Sequence, residues 1–81
     1  MRQGRFEIGY MLPSGICPVN RTEDRTLAYV FARLIHGQEG HEGQKVYACD
    51  CRAEPGSLNA SVWDGSSWEN VSLPEPVNFQ I

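Results

Sequence analysis

NRTEDRTLAYVFARLIHG, spanning Asn20 to Gly37, is the one segment of this chain with strong helical periodicity. Leu27, Val30, Phe31, Leu34 and Ile35 recur at the spacing that places side chains on one face of an α-helix. Asn20 stands where a helix N-cap belongs, with Glu23 three residues later in the capping-box position, and Glu23 and Asp24 place negative charge at the positive end of the helix dipole. His36-Gly37 marks the other end, since glycine can take the left-handed conformation that closes a helix. The pattern therefore predicts a helix over about 21–36 whose five large apolar side chains form the core.

Strand signals lie on both sides. Arg5–Leu12 alternates Phe6, Ile8, Tyr10 and Leu12 with Arg5, Glu7, Gly9 and Met11, and Pro13-Ser14-Gly15 turns the chain. Ile16–Val19 reads as a short returning strand that Pro18 confines to a sheet edge. After the helix, GQEGHEGQ reads as a mobile loop on its glycines. Strands are then expected at Lys45–Arg52, Leu58–Trp63 and Trp68–Leu73. The tail PEPVNFQI alternates Val77, Phe79 and Ile81, a candidate last edge strand through which two copies could pair as a homodimer.

A two-residue turn at Gly65-Ser66 sets Trp63 opposite Trp68, Val62 opposite Glu69, Ala60 opposite Val71 and Leu58 opposite Leu73. On this register Leu58, Ala60, Val62, Val71 and Leu73 face the helix, while both tryptophans stand outside among Asn59, Ser61, Asn70 and Ser72. In Lys45–Arg52, burying Asp50 and Arg52 would be costly, so Tyr47, Cys49 and Cys51 are expected inward. The whole reads as a single α+β domain over residues 1–81, a two-layer sandwich with one helix on a small antiparallel sheet in the order ββαβββ.

The chain has 81 residues and a formal charge of −3. Its charge is lopsided: residues 1–36 hold five Arg against three acids, and residues 37–81 hold Lys45 and Arg52 against seven acids. An acidic half disfavours non-specific attraction to nucleic acid and suits a basic partner. No stretch has the length of a membrane span, and the N-terminus lacks the apolar core of an export signal, so a cytoplasmic protein with reduced cysteines and no membrane partner is expected.

Catalytic and cofactor motifs are weak. Cys17, His36, His41, Cys49 and Cys51 are the right atom types for zinc, but Cys49-x-Cys51 is not a knuckle spacing and suits paired core thiols. The glycine-rich loop follows a helix, and Glu39 and Glu42 would repel phosphate, which argues against a phosphate cradle. No rigid acid–base pair or nucleophile elbow is present. The chain therefore reads as non-enzymatic, without metal or cofactor.

Two surfaces remain as candidate sites. Trp63 and Trp68, with Asp64 and Glu69 beside them, either staple the hairpin or form the centre of an interface. Together with Glu39, Glu42, Asp50 and Glu54 they suggest a module that docks on a protein with a basic surface. Arg25, Tyr29 and Arg33, on the opposite side of the expected helix from its apolar stripe, give the rival reading of a small nucleic-acid-binding regulator. In size, charge and lack of catalytic motifs the chain resembles small accessory proteins of phages and mobile elements, including inhibitors of host defence such as anti-CRISPR proteins. That resemblance implies carboxylates presented to a basic groove in a host cytoplasm.

Overall fold

The computed structural model describes residues 4–53 and 57–72. Its elements are β1 (Phe6–Leu12), β2 (Gly15–Thr22), α1 (Arg25–Ile35), β3 (Lys45–Asp50), β4 (Ala60–Trp63) and β5 (Trp68–Val71). The strands form one antiparallel sheet in the order β2-β1-β3-β4-β5, with α1 on one face, an α+β fold of ββαβββ order. The expected hairpin register holds: Trp63 pairs with Trp68, Val62 with Glu69 and Ala60 with Val71. Leu58 is exposed ahead of β4, and Leu73, the Val77–Ile81 segment and Glu54 lie outside the described residues.

The helix is shorter than its periodicity predicts. Asn20 belongs to β2, where Asn20, Arg21 and Thr22 pair with Ile8, Glu7 and Phe6. The Arg21–Glu7 ion pair, 3.2 Å, holds this stretch to the sheet. Asp24 is the cap instead, accepting the Thr26 N–H at 2.9 Å, while its own N–H donates to Thr22 Oγ1. At the far end Gly37 has φ 81, as a helix stop requires.

The face that α1 buries differs from the expected one. Ala28, Ala32 and Ile35 are its buried residues, with Phe31 and Tyr29 packed at the flanks. Leu27, Val30 and Leu34 point away from the sheet. Relative to the expected stripe the helix is turned by roughly a quarter to a third of a turn. The reason is volume: the sheet already presents Phe6, Ile8, Tyr10, Val46, Trp63 and Trp68 to this layer. Small alanines let the helix settle on those rings without overfilling the core.

The faces of β3, β4 and β5 are likewise reversed. Val46 and Ala48 lie under the helix, whereas Tyr47 and Cys49 pack with Ala60 and Val62 on the far face. Cys51, the first residue past β3, belongs to that far face as well. The cost of turning Asp50 toward the helix side is met by Arg5, which grips it through two 3.0 Å hydrogen bonds. Arg52 lies beyond the strand. The far face has its own polar centre. Tyr47 Oη donates to Glu7 Oε2 at 2.7 Å, and Arg21 holds the other oxygen.

Burial, and then the bond to Glu7, push the Tyr47 hydroxyl far above its ordinary range, and burial also raises Tyr10. Both groups are held protonated in the fold, so their contribution is complete below the unfolded value of about 10 and is lost as pH rises beyond it. We expect phenolate absorbance from these tyrosines to rise only in step with loss of circular dichroism above about pH 10. A full tyrosine titration with native dichroism intact would contradict the burial.

Candidate protein-docking face

Because Ala28 and Ala32 set the rotation of α1, Leu27, Val30 and Leu34 form a stripe on its outer side, 51%, 47% and 65% exposed. The stripe continues into the sheet across a hollow of about 360 Å³ lined by Val30, Arg33, Leu34 and Trp63. Arg33 lies over the Trp63 ring at 4.9 Å, Trp63 contacts Trp68 at 5.2 Å and Trp68 stacks on Tyr29 at 4.8 Å. Tyr29 Oη is 3.1 Å from Ser61 Oγ, which donates to Asn70 Oδ1 at 2.9 Å. Of the polar neighbours that suggest a solvent face for the tryptophans, Ser61 thus meets the hydroxyl of a helix residue and Asn70 supports Ser61.

The two surfaces that the sequence sets on opposite sides of the sheet are therefore one surface. Arg33, Trp63, Trp68 and Tyr29 form a continuous ladder of cation and rings on the helix side. Within it the rings are half-buried, and Arg33 is exposed at the edge. Arg25 caps the Phe6 ring at 5.3 Å. Each member of the Arg25, Tyr29 and Arg33 strip thus has an intramolecular aromatic partner.

The expected acidic set divides. Asp64 is at the Trp63 end, where its carboxylate accepts the Ser66 and Ser67 N–H groups at 2.9 and 3.0 Å, and these bonds lower its pKa. Glu39 and Glu42 are exposed on the loop between α1 and β3. That loop is tied down: His41 stacks on Tyr10 with ring centroids 4.0 Å apart and accepts or donates a 2.9 Å bond at Gln44. It reaches the same end of the sheet, since Tyr10 pairs with Val46 and Val46 with Trp63.

Glu69 does not join them, because its partner Val62 belongs to the far face. Asp50 sits at the opposite end of β3 from Val46 and is held by Arg5, the first cause of its lowered pKa. Glu23 and Asp24, both exposed, lie at the other end of the stripe. The outer face of α1 is thus bracketed by carboxylates at both ends.

The stripe is the feature that sequence reasoning missed. Its signal is that Leu27 to Ile35 is apolar almost all the way round the helix, and such a helix wants cover on more than one side. The sulfur and imidazole groups do not converge: Cys17 packs with the helix-side cluster and Cys49 with the far one. Among the described residues no three His, Cys, Asp or Glu side chains gather as metal ligands. No described helix is long and apolar enough to cross a membrane. No protein family, curated protein or solved structure matches the chain.

Proposed function

We propose that this chain is a protein-binding module that docks through the outer face of α1, with Leu27, Val30 and Leu34 as its apolar centre and Trp63 with Arg33 at its edge. The observation that carries the reading is that the helix packs on alanines and turns its large aliphatic side chains to solvent. Contiguous exposed apolar surface of this kind marks interaction sites in soluble domains, and the adjoining tryptophan and arginine are the residue types enriched at interface hot spots.

The acidic brackets fit a partner whose apolar groove is rimmed by basic residues. Inhibition of a nucleic-acid-handling complex, by occupying such a groove in place of phosphates, is the finer form of this proposal and accords with the size and charge of the chain. It is a non-enzymatic role that uses no cofactor.

The test is side-by-side affinity capture from the native host with the wild-type chain and a Leu27→Ser/Leu34→Ser variant, followed by mass-spectrometric identification. Thermal stability should change little, within about 0.5 kcal/mol for exposed positions. Capture of the specific partner should weaken at least tenfold, the effect of losing about 1.4 kcal/mol at a hot spot. Equal capture by both chains would remove the helix face from consideration. Retention of nucleic acid with steep salt dependence, abolished by Arg25→Ala and Arg33→Ala, would favour the regulator instead.

A further inference from the structure

The helix packs chiefly over β1, β3 and β2, so the β4–β5 half of that sheet face is met by side chains of α1 more than by its backbone. A hollow of about 300 Å³ opens there, beside the first turn of the helix. The buried Phe6 and Ala48 give it an apolar floor, Arg25 and Tyr29 line it from the helix, and Asp50, Ser61 and Asn70 line it from the sheet. Strand pairing assembles it, with Phe6 opposite Asp50, Ala48 opposite Ser61 and Ser61 opposite Asn70. It shares no lining residue with the hollow at Trp63.

The polar side of this lining is rich in unspent donors. Ser61 is buried, and its single hydroxyl hydrogen goes to Asn70 Oδ1 at 2.9 Å, so at 3.1 Å it accepts from the Tyr29 hydroxyl. That chain occupies the Asn70 carbonyl and leaves the amide nitrogen with two N–H groups that no described residue accepts. Arg25 is held over the Phe6 ring at 5.3 Å, and neither ion pair of the described residues engages it. Asp50 is largely spent: Oδ1 accepts from Arg5 Nε and the Arg52 N–H, and Oδ2 from Arg5 Nη2, each at 3.0 Å. With Arg5 cancelling Asp50, Arg25 is the charge left without a counter-ion among the described residues that line the hollow.

We propose that this hollow binds a small organic carboxylate, its charged end held by Arg25 and the Asn70 amide and its apolar body laid against Phe6 and Ala48. A guanidinium stacked on a ring presents a planar fork of N–H groups that matches the two oxygens of a carboxylate. One uncancelled cation suits one negative charge. A phosphate monoester carries about 1.5–2 negative charges at pH 7, and the Asp50 carboxylate on the same lining opposes the excess. A few convergent polar groups over an apolar floor are what a small-molecule site needs, and this volume, at the small end for such sites, suits a body of about one ring.

The test titrates the isotope-labelled full chain with sodium benzoate, benzamide and phenyl phosphate and follows amide shifts by NMR. Benzoate should shift the backbone amides of Arg25, Tyr29 and Ser61 and the side-chain amide of Asn70, saturating with a Kd of about 1 mM or below. Benzamide has the same shape without the charge and phenyl phosphate carries the excess, so each should bind at least about fivefold more weakly. Arg25→Gln, at an exposed position, and Asn70→Asp, which keeps an acceptor for Ser61, should each weaken benzoate at least about tenfold. Leu27→Ser/Leu34→Ser should bind benzoate as the wild type does, which separates this site from the docking face. Equal or tighter binding of benzamide or phenyl phosphate, unchanged affinity in Arg25→Gln, or shifts gathered on the Leu27–Leu34 stripe would each overturn the proposal. So would the absence of saturable shifts up to about 20 mM benzoate, well above the expected constant.

Discussion

Tyr47→Ala is expected to remove about 3–5 kcal/mol, the usual cost of truncating a buried aromatic. Tyr47 has no exposed surface and is the largest fully buried side chain of the molecule as described. Its ring lies against Gly9 of the neighbouring strand, and its hydroxyl is one of two groups satisfying the Glu7 carboxylate. Truncation therefore opens a cavity and also strips a donor from a buried charge. Against a total stability of about 5–15 kcal/mol for a domain, this is a large share of the margin, and the melting temperature should fall by about 12 °C or more. Tyr47→Phe keeps the ring and separates the two losses; it should cost about 1–3 kcal/mol for the unsatisfied carboxylate oxygen alone. A Tyr47→Ala melting point close to the wild-type value would show that the far face is not a core.

Gly9→Ala should be comparably damaging, for a reason of space. A methyl group there would stand 2.2 Å from the Cys17 carbonyl oxygen, 2.8 Å from Pro18 Cα and 2.8 Å from Tyr47 Cε1. Two of those atoms are backbone and cannot swing aside. The β1–β2 register shifts at Ile8/Gly9, and the bulge brings the strands close at this point. Relief requires β2 to separate from β1, so the cost should sit at or beyond the upper end of the about 1–3 kcal/mol typical of overpacking. Hydrogen exchange checks this directly: amides of β2 should lose protection while those pairing β3 with β4 keep it. Unchanged protection throughout would mean the strands have slack at Gly9.

Much of the architecture was legible in the chain. The element order, the hairpin register at Trp63 and Trp68, and the edge position of β2 with its Pro18 all follow from local chemistry. What local chemistry does not reveal is which side of an element meets which layer. Strand β3 is apolar on both faces, and only Asp50 and Arg52 distinguish them in the sequence; yet Arg52 lies beyond the strand, and the partner that neutralises Asp50, Arg5, is 45 residues away in sequence. For the helix, periodicity favours the large apolar residues, yet Ala28 and Ala32 make the contact because the opposing sheet is rich in rings. Both requirements, a distant cation for Asp50 and small residues opposite an aromatic-filled layer, appear only once the layers are assembled. The site reading suffered in turn, since a helix rotated to bury its leucines hides the very stripe that the fold leaves outside.

The clustering of Trp63, Trp68 and Tyr29 also gives the protein a built-in optical reporter. Both indoles of the chain stand 5.2 Å apart at one junction of α1 with the β4–β5 hairpin. Chromophores this close couple, so the near-ultraviolet dichroism and the intrinsic fluorescence describe the docking of that hairpin against the helix. The tryptophan emission says less of the β1–β2 edge of the sheet, where the damage at Gly9 would begin. Tryptophan emission thus follows this junction while far-ultraviolet dichroism averages over the backbone of the whole domain, and coincidence between the two unfolding curves measures how cooperatively the hairpin junction is joined to the rest.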